Sequence, residues 1–128
     1  MPGGTHEYLQ DTRNENVLIY INGEILPRPE ARVSVFDSGF LLGDGVWEGI
    51  RLHNDQLVFL EEHIERLYAG AAAIGMDIGM NRNDLVEKIH DTLVANDMHS
   101  DIHLRLIVSR GLKTVSYTHL TLPTKRIV

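Results

Sequence analysis

The chain contains no cysteine. That absence excludes a disulfide framework, a thiolate nucleophile and a zinc site built on cysteine. Long apolar runs are missing too: no stretch approaches the ~18 to 20 residues that span a bilayer. The start, Met1-Pro2-Gly3-Gly4-Thr5-His6, has neither the basic nor the apolar region of a signal peptide. Positive charge is scarce, with 12 Lys and Arg against 18 Asp and Glu and a formal net charge of −6. Nucleic acid and anionic membrane are therefore not expected partners, and any cationic chemistry must come from individually placed residues. A cytoplasmic location is expected. What remains is 128 residues that are 43% hydrophobic and 23% charged. Such a chain suits one domain with a modest core, burying about two thirds of the surface its unfolded form exposes.

Residues 1–16 are polar and Gly-rich and read as a flexible lead-in. Val17-Leu18-Ile19-Tyr20-Ile21 is a β-rich run followed by Asn22-Gly23 and Glu24-Ile25-Leu26, the strongest short signal for a hairpin with a type I′ turn. Arg32-Val33-Ser34-Val35-Phe36 alternates as a further strand would, and a glycine-rich loop follows from Asp37 to Gly45. Val46 to His53 and Gln56 to Phe59 read as a second hairpin around Asn54-Asp55. Along its first strand Trp47, Gly49, Arg51 and His53 share one face, and Val46, Glu48, Ile50 and Leu52 the other.

From Leu60 the period changes. Leu60, Ile64, Leu67, Ala71 and Ile74 fall within about 80° of one another at 100° per residue, an amphipathic helix stopped at Gly75. Asn81 offers an N-cap for a second helix with Leu85, Ile89 and Leu93 on its apolar stripe. Ile102 to Arg110 alternates again, with His103, Arg105, Ile107 and Ser109 on one face. Strands, two helices and another strand imply an α+β fold, an antiparallel β-sheet covered on one side by two α-helices.

Several residues carry candidate chemistry. The three glycines of Gly39 to Gly45 suit either close approach to a ligand or a tight crossover. The loop is not a Walker loop, lacking Gly-Lys-Ser/Thr, nor a dinucleotide fingerprint, since it leads into a strand. Arg66 lies about 120° off its helix's apolar stripe. It is either an exposed ion pair with Glu62, four residues earlier, or an anion clamp whose guanidinium fork matches phosphate or carboxylate. Arg51 and Arg105 are charges set in apolar strands, lining a pocket for an acidic small molecule or simply the wet face of the sheet. His99 and His103 are spaced i, i+4 but across a loop-to-strand junction, so no metal site is expected.

Three blocks, Ser38 to Arg51 containing Gly43-Asp44-Gly45 and Trp47-Glu48-Gly49-Ile50-Arg51, Glu62-His63-Ile64-Glu65-Arg66-Leu67, and His103 to Gly111, resemble the small N-terminal domain of the fold-type IV pyridoxal-phosphate enzymes. That superfamily includes branched-chain aminotransferases, D-amino acid aminotransferases and aminodeoxychorismate lyase. The resemblance implies that Arg66 binds the phosphate of pyridoxal 5′-phosphate. It also implies that Phe40, Leu42 and Trp47 line the substrate pocket, with Arg51 near it, and that Arg105 helps hold the substrate carboxylate.

The pattern departs from the family in places. Phe40 and Leu42 supply no hydroxyl where many relatives carry tyrosine. Gly-Asp-Gly resembles the D-amino acid and lyase side, and Trp-Glu-Gly-Ile-Arg the branched-chain side. Of Lys88, Lys113 and Lys125, none stands in the large-domain context where the family carries its Schiff-base lysine, so no catalytic residue is assigned. From Val115 onward the sequence matches nothing in the family and resembles translated adapter sequence. The expectation is a small domain over residues 17–114, a foreign tail over residues 115–128 and an absent large domain. The whole protein would be a homodimeric transaminase moving an amino group between a branched-chain amino acid and a 2-oxo acid. D-amino acid transamination, lyase chemistry or a non-catalytic binding module stand as alternatives, and the 128 residues alone are expected to be inactive.

Overall fold

Two β-rich runs separated by Asn22-Gly23 close on each other as β1 (Leu18–Ile21) and β2 (Glu24–Pro27), paired antiparallel from Leu18↔Pro27 to Ile21↔Glu24. Asn22 and Gly23 both take positive φ, 50° and 93°, as a type I′ turn demands. The computed structural model describes residues 11–113 and the backbone of residues 126–127. The lead-in over residues 1–10 and most of the tail, residues 114–125 and 128, lie outside the described residues. Residues 11–16, expected to be flexible, instead carry a 3-10 turn at Thr12–Asn14. It is fastened because Arg13 donates to the carbonyls of Ser100 (2.9 Å) and Asp101 (3.0 Å).

Two expectations fail between Ala31 and Gly45. Residues 32–36 form no strand, and Ser34 closes the segment into a turn instead. Its hydroxyl accepts the Phe36 N–H at 3.0 Å and its carbonyl accepts the Asp37 N–H at 3.0 Å. The alternation there is empty because Val33, Val35 and Phe36 are all exposed. The glycine-rich loop is in part a short helix, α1 (Ser38–Leu42). Asp37 in extended conformation caps its start and Gly43 in the left-handed region closes its end, the ordinary start and stop chemistry of a helix.

β3 (Gly45–His53) then runs into a tight Asn54-Asp55 turn and a two-residue β4 (Gln56–Leu57), shorter than the alternation suggests. α2 (Leu60–Ala73) and α3 (Arg82–Asn96) follow, the second capped by the Asn81 side chain, which accepts the Asp84 N–H at 2.8 Å. β5 (Ile102–Ser109) pairs with β3 along its whole length, from Gly45↔Ser109 to Leu52↔Ile102. β6 (Arg126–Ile127) adds two pairs, giving the order β4-β3-β5-β6, while β1 and β2 form a separate two-stranded sheet. Asn96 of α3 ties that hairpin to the body, accepting the Leu18 N–H at 2.7 Å and donating to its carbonyl at 2.9 Å.

The core lies between the helices and one sheet face. Ile50 and Leu52 of β3, Leu106 and Val108 of β5, Ile64, Leu67 and Ala71 of α2, and Leu85, Ile89 and Leu93 of α3 are all buried there. Each large aliphatic side chain so removed from water contributes about 1.5–3 kcal/mol. The architecture is thus the expected α+β arrangement, an antiparallel sheet covered on one side by two helices. The other face of β3 and β5 is left open over most of its length.

At the far end of the sheet, His99 links two turns. Its Nδ1 lies 2.7 Å from Asp55 and its Nε2 2.9 Å from Asp97, while the Asp55 N–H donates to the His99 carbonyl at 2.6 Å. Hydrogen bonds to Asp97 first and Asp55 second raise the His99 pKa above 6.5. A raised folded pKa means the stabilisation is complete below the unfolded value and is lost as pH rises through the folded one. The urea-midpoint difference between the native chain and His99→Asn should therefore be largest near about pH 5 and shrink toward about pH 9. A difference that grows with pH would contradict the clasp.

Candidate functional site

The alternation of β3 and β5 separates two groups of polar residues. On the outer face, opposite the helices, the register stacks Gly45 against Ser109, Trp47 against Ile107, Gly49 against Arg105 and Arg51 against His103. The Arg105 guanidinium lies over the Trp47 ring, 4.8 Å from its centroid. Gly49 leaves room for the His103 ring, since a Cβ at that position would come within 2.8 Å of His103 Nε2 and the ring would have to turn aside. Arg51 is exposed and faces Asp101 at 3.9 Å. The structure therefore joins Trp47 and Arg105 directly and sets Arg51 on the same face beside His103.

α1 belongs to this face as well. The Ser109 hydroxyl donates to the Asp37 carboxylate and accepts the Gly111 N–H at 2.9 Å, and all three residues are buried. Asp37 also accepts the Gly39 N–H at 3.3 Å, and the Ser38 N–H donates to the Gly111 carbonyl at 2.7 Å. Ser109 shares its face with Arg105, so the clasp seats α1 at one end of the outer face. Phe40 and Leu42 stand on that helix, 68% and 60% exposed, near the same end as Trp47, which is 58% exposed. The outer face thus grades from an apolar end at α1 and Trp47 to an end that carries the arginines Arg105 and Arg51, with His103 between them and Asp101 beside Arg51.

Arg66 lies elsewhere. It projects from α2 to Glu48, which stands on the helix-facing side of β3 between Val46 and Ile50. Its Nε donates to Glu48 Oε2 at 2.9 Å and Oε1 at 3.1 Å, and its Nη2 donates to Oε1 at 2.7 Å. His63 Nδ1 lies 2.6 Å from the same Oε1. The Glu48 side chain is 7% exposed and that of Arg66 71%. The hydrogen bonds from Arg66 lower the Glu48 pKa, outweighing burial, with His63 adding a smaller lowering contribution. An ionised carboxylate only accepts, so His63 must carry its proton on Nδ1. The alternative partner from the sequence, Glu62, is not engaged by Arg66. Among the described residues Arg66 Nη1 has no hydrogen-bond partner, leaving a donor set that fits an oxyanion such as a phosphate.

Sequence reasoning missed three contributors: Glu48, the Asp37–Ser109 clasp, and Arg110. Arg110 donates to Asp44 at 2.6 Å and to the Ile74 carbonyl at 2.6 Å, joining the turn after α1 to the end of α2. The signal for Glu48 was available, as a charged residue on the apolar face of a strand. Asp37 and Ser109 are 72 residues apart, and nothing local announces them.

The family described as amino-transferase class IV matches residues 45–126, a span that runs into the stretch set apart as a tail. Branched-chain-amino-acid aminotransferase-like protein 1 of Arabidopsis thaliana is 43% identical over 103 residues, covering 80% of this chain and 19% of that protein. A D-alanine aminotransferase of Bacillus licheniformis is 40% identical over 93 residues, covering 73% and 32%. The solved branched-chain aminotransferase of the thermophilic archaeon Thermoproteus uzoniensis, with norvaline, superposes with a TM-score of 0.76 at 25% identity, covering 88% of this chain and 39% of the other. A further solved branched-chain amino acid aminotransferase, complexed with N-(5′-phosphopyridoxyl)-L-glutamate, gives a TM-score of 0.74 at 27% identity, covering 88% and 40%. The chain therefore spans well under half the length of these relatives.

The clasp generates a measurable expectation. Ser109→Ala leaves the buried Asp37 carboxylate without its hydroxyl donor and the Gly111 N–H without its acceptor. The loss should be about 1–3 kcal/mol in urea unfolding, with faster amide exchange in α1 than in α2. Unchanged stability and exchange would show that α1 is held by something else.

Proposed function

The chain belongs to the amino-transferase class IV family, and from that premise we propose that the whole protein is a pyridoxal-phosphate-dependent transaminase. It moves an amino group between a branched-chain amino acid and a 2-oxo acid. The observation that carries the substrate side is the graded outer face. An amino acid with an aliphatic side chain has an apolar end and an anionic end, and the face offers Phe40, Leu42 and Trp47 at one end and Arg105 with Arg51 at the other. Arg105 is proposed to hold the substrate carboxylate, its plane fixed by stacking on Trp47.

On the cofactor side, Arg66 is proposed to hold the phosphate. Bound there, pyridoxal phosphate supplies the electron sink for breaking bonds at the substrate's α-carbon. The residues of this chain bind and orient. Among the described residues, neither Lys88, ion-paired with Asp91 at 3.7 Å, nor Lys113, whose backbone N–H donates to the Phe36 carbonyl, is bonded to either group of site residues, and Lys125 lies outside the described residues. The 128 residues alone are therefore proposed not to turn over. The exposed Val35, Phe36, Phe40 and Leu41 support burial of these residues against further protein, and the whole protein is proposed to be a homodimer of the cytoplasm. Among the described residues, no helix is long and apolar enough to cross a membrane.

A second reading, transamination of D-amino acids, draws support from Gly43-Asp44-Gly45 and from the 40% identical D-alanine aminotransferase. Assaying the full-length protein with L-leucine, L-valine and D-alanine against a 2-oxo acid separates the readings, with the L-substrates expected to be preferred. In that protein, Arg66→Ala should weaken pyridoxal phosphate about 10- to 100-fold, as expected for losing charge-assisted hydrogen bonds. Borohydride treatment of the 128-residue chain with pyridoxal phosphate should trap no adduct at a single lysine. A stoichiometric adduct with turnover would overturn the inactive-fragment proposal, and unchanged cofactor affinity in the variant would remove Arg66 from the site.

A further inference from the structure

Three arginines among the described residues engage a carboxylate through Nε, and they do not do it alike. Arg13 donates to Asp11 and sends its terminal nitrogens to the carbonyls of Ser100 and Asp101. Arg110 donates to Asp44 and sends its terminal nitrogens to the carbonyls of Ile74 and Gly75. Both are used on two sides and act as struts between segments of the chain. Arg66 is used on one side only. Its Nε and Nη2 are taken by Glu48, and among the described residues Nη1 has no acceptor.

Exposure sharpens the contrast. Glu48 sits on the core-facing side of β3, where neighbours two residues away are aliphatic, and its carboxylate is almost wholly buried. Placing a charge there is expensive unless it is paired and hydrogen-bonded. An aliphatic residue would serve the core better. The carboxylate is compensated by three donor groups, Arg66 Nε, Arg66 Nη2 and His63 Nδ1, and it remains ionised because Arg66 and His63 hold its pKa down. Arg66 itself stays largely in solvent. A guanidinium has five N–H donors in a rigid plane. Two are directed at Glu48, which leaves the outer N–H of Nη2 and one N–H of Nη1 side by side on the terminal edge, the second Nη1 N–H pointing back beside Cδ.

We infer that Glu48 is a positioning residue: its carboxylate clamps the Nε and Nη2 side of Arg66 so that the terminal edge, Nη1 with the outer N–H of Nη2, is presented, already oriented, to a phosphate. His63 completes the clamp by fixing Oε1 from the other helix turn. The inference rests on the reading of Arg66 as the phosphate ligand and assigns what makes that ligand effective. A free arginine must give up rotamer freedom when it grips an anion, whereas one whose plane is already fixed loses less. The same ion pair also fastens α2 to β3, so a purely structural role is the competing account.

The two accounts separate on ligand selectivity. In the full-length protein, affinities for pyridoxal phosphate and for pyridoxal, which lacks the phosphate, are measured by calorimetry for the native form, Arg66→Ala, Arg66→Lys, Glu48→Gln and the double variant Glu48→Gln/Arg66→Ala. The native form should prefer the phosphorylated ligand. Arg66→Ala should lower that preference about 10- to 100-fold, and Glu48→Gln should lower it roughly tenfold with little effect on pyridoxal itself. The double variant should resemble Arg66→Ala alone, because the clamp acts only through the arginine. Arg66→Lys keeps a cation beside Glu48 without the fork and should also lose most of the preference.

If Arg66→Ala leaves the preference intact, the phosphate reading itself falls. If Arg66→Ala lowers it but Glu48→Gln weakens both ligands equally, or neither, Arg66 stands and the positioning role is overturned. Should Glu48→Gln fail to fold, Arg66→Lys decides alone, since a preference within twofold of native would show that an oriented fork is not required.

Discussion

A carboxylate buried in a core must be answered by donors, and much of this domain's working geometry can be traced from that requirement at Glu48. The residue stands in the middle of β3, flanked by Val46 and Ile50, so its donors must arrive from the helix layer. α2 supplies them one turn apart, His63 and Arg66, on the side of the helix next to the apolar stripe that packs Ile64 and Leu67 into the core. Helix and strand are thereby fixed in rotation as well as in distance. Apolar packing alone tolerates slippage, whereas a two-nitrogen grip on one carboxylate does not.

The other side of the same strand is built on a different principle. Trp47, Gly49 and Arg51 lie on the face opposite to the one that buries Glu48, Ile50 and Leu52. Here the described residues leave most of the strand open, and the constraints are local. Gly49 makes room for His103, Trp47 lies under Arg105, and α1 is seated by the buried Asp37–Ser109 pair. β3 therefore contributes to both groups, Glu48 toward the helices as the anchor of Arg66, the residue proposed for a phosphate, and Trp47 and Arg51 toward the outside, on the face proposed for an acidic substrate. Their separation is set by pleat geometry, not by loop conformation.

Much of this is legible in the sequence where the signal is local. Asn22-Gly23 announces its turn because few residues accept positive φ twice in succession, and the 3.6-residue period of Leu60 to Ile74 announces α2. The alternation of β3 and β5 assigns their faces correctly, so Trp47 and Arg51 fall on one face of β3 and Arg105 on one face of β5 from the sequence alone. The failures share a cause. Residues 32–36 alternate, but a strand needs a partner edge and a face to bury, and the segment has neither. α1 stays hidden because five residues carry too little periodicity, although Asp37 and Gly43 are a cap and a stop. Sequence spacing gives Arg66 the wrong neighbour, since Glu62 is close in the chain whereas Glu48, 18 residues away, is reached only once the helix packs on the strand.

The state of the Arg66 side chain tests the central claim most directly. In a ¹⁵N-resolved proton spectrum of the protein at neutral pH, the account requires a distinct Arg66 Nε–H signal. It should exchange slowly with water, lose that protection in Glu48→Gln, and remain in place when inorganic phosphate is added while the Nη protons shift. An Nε–H that exchanges as fast as that of a free arginine in the native protein would show that the clamp does not exist in solution.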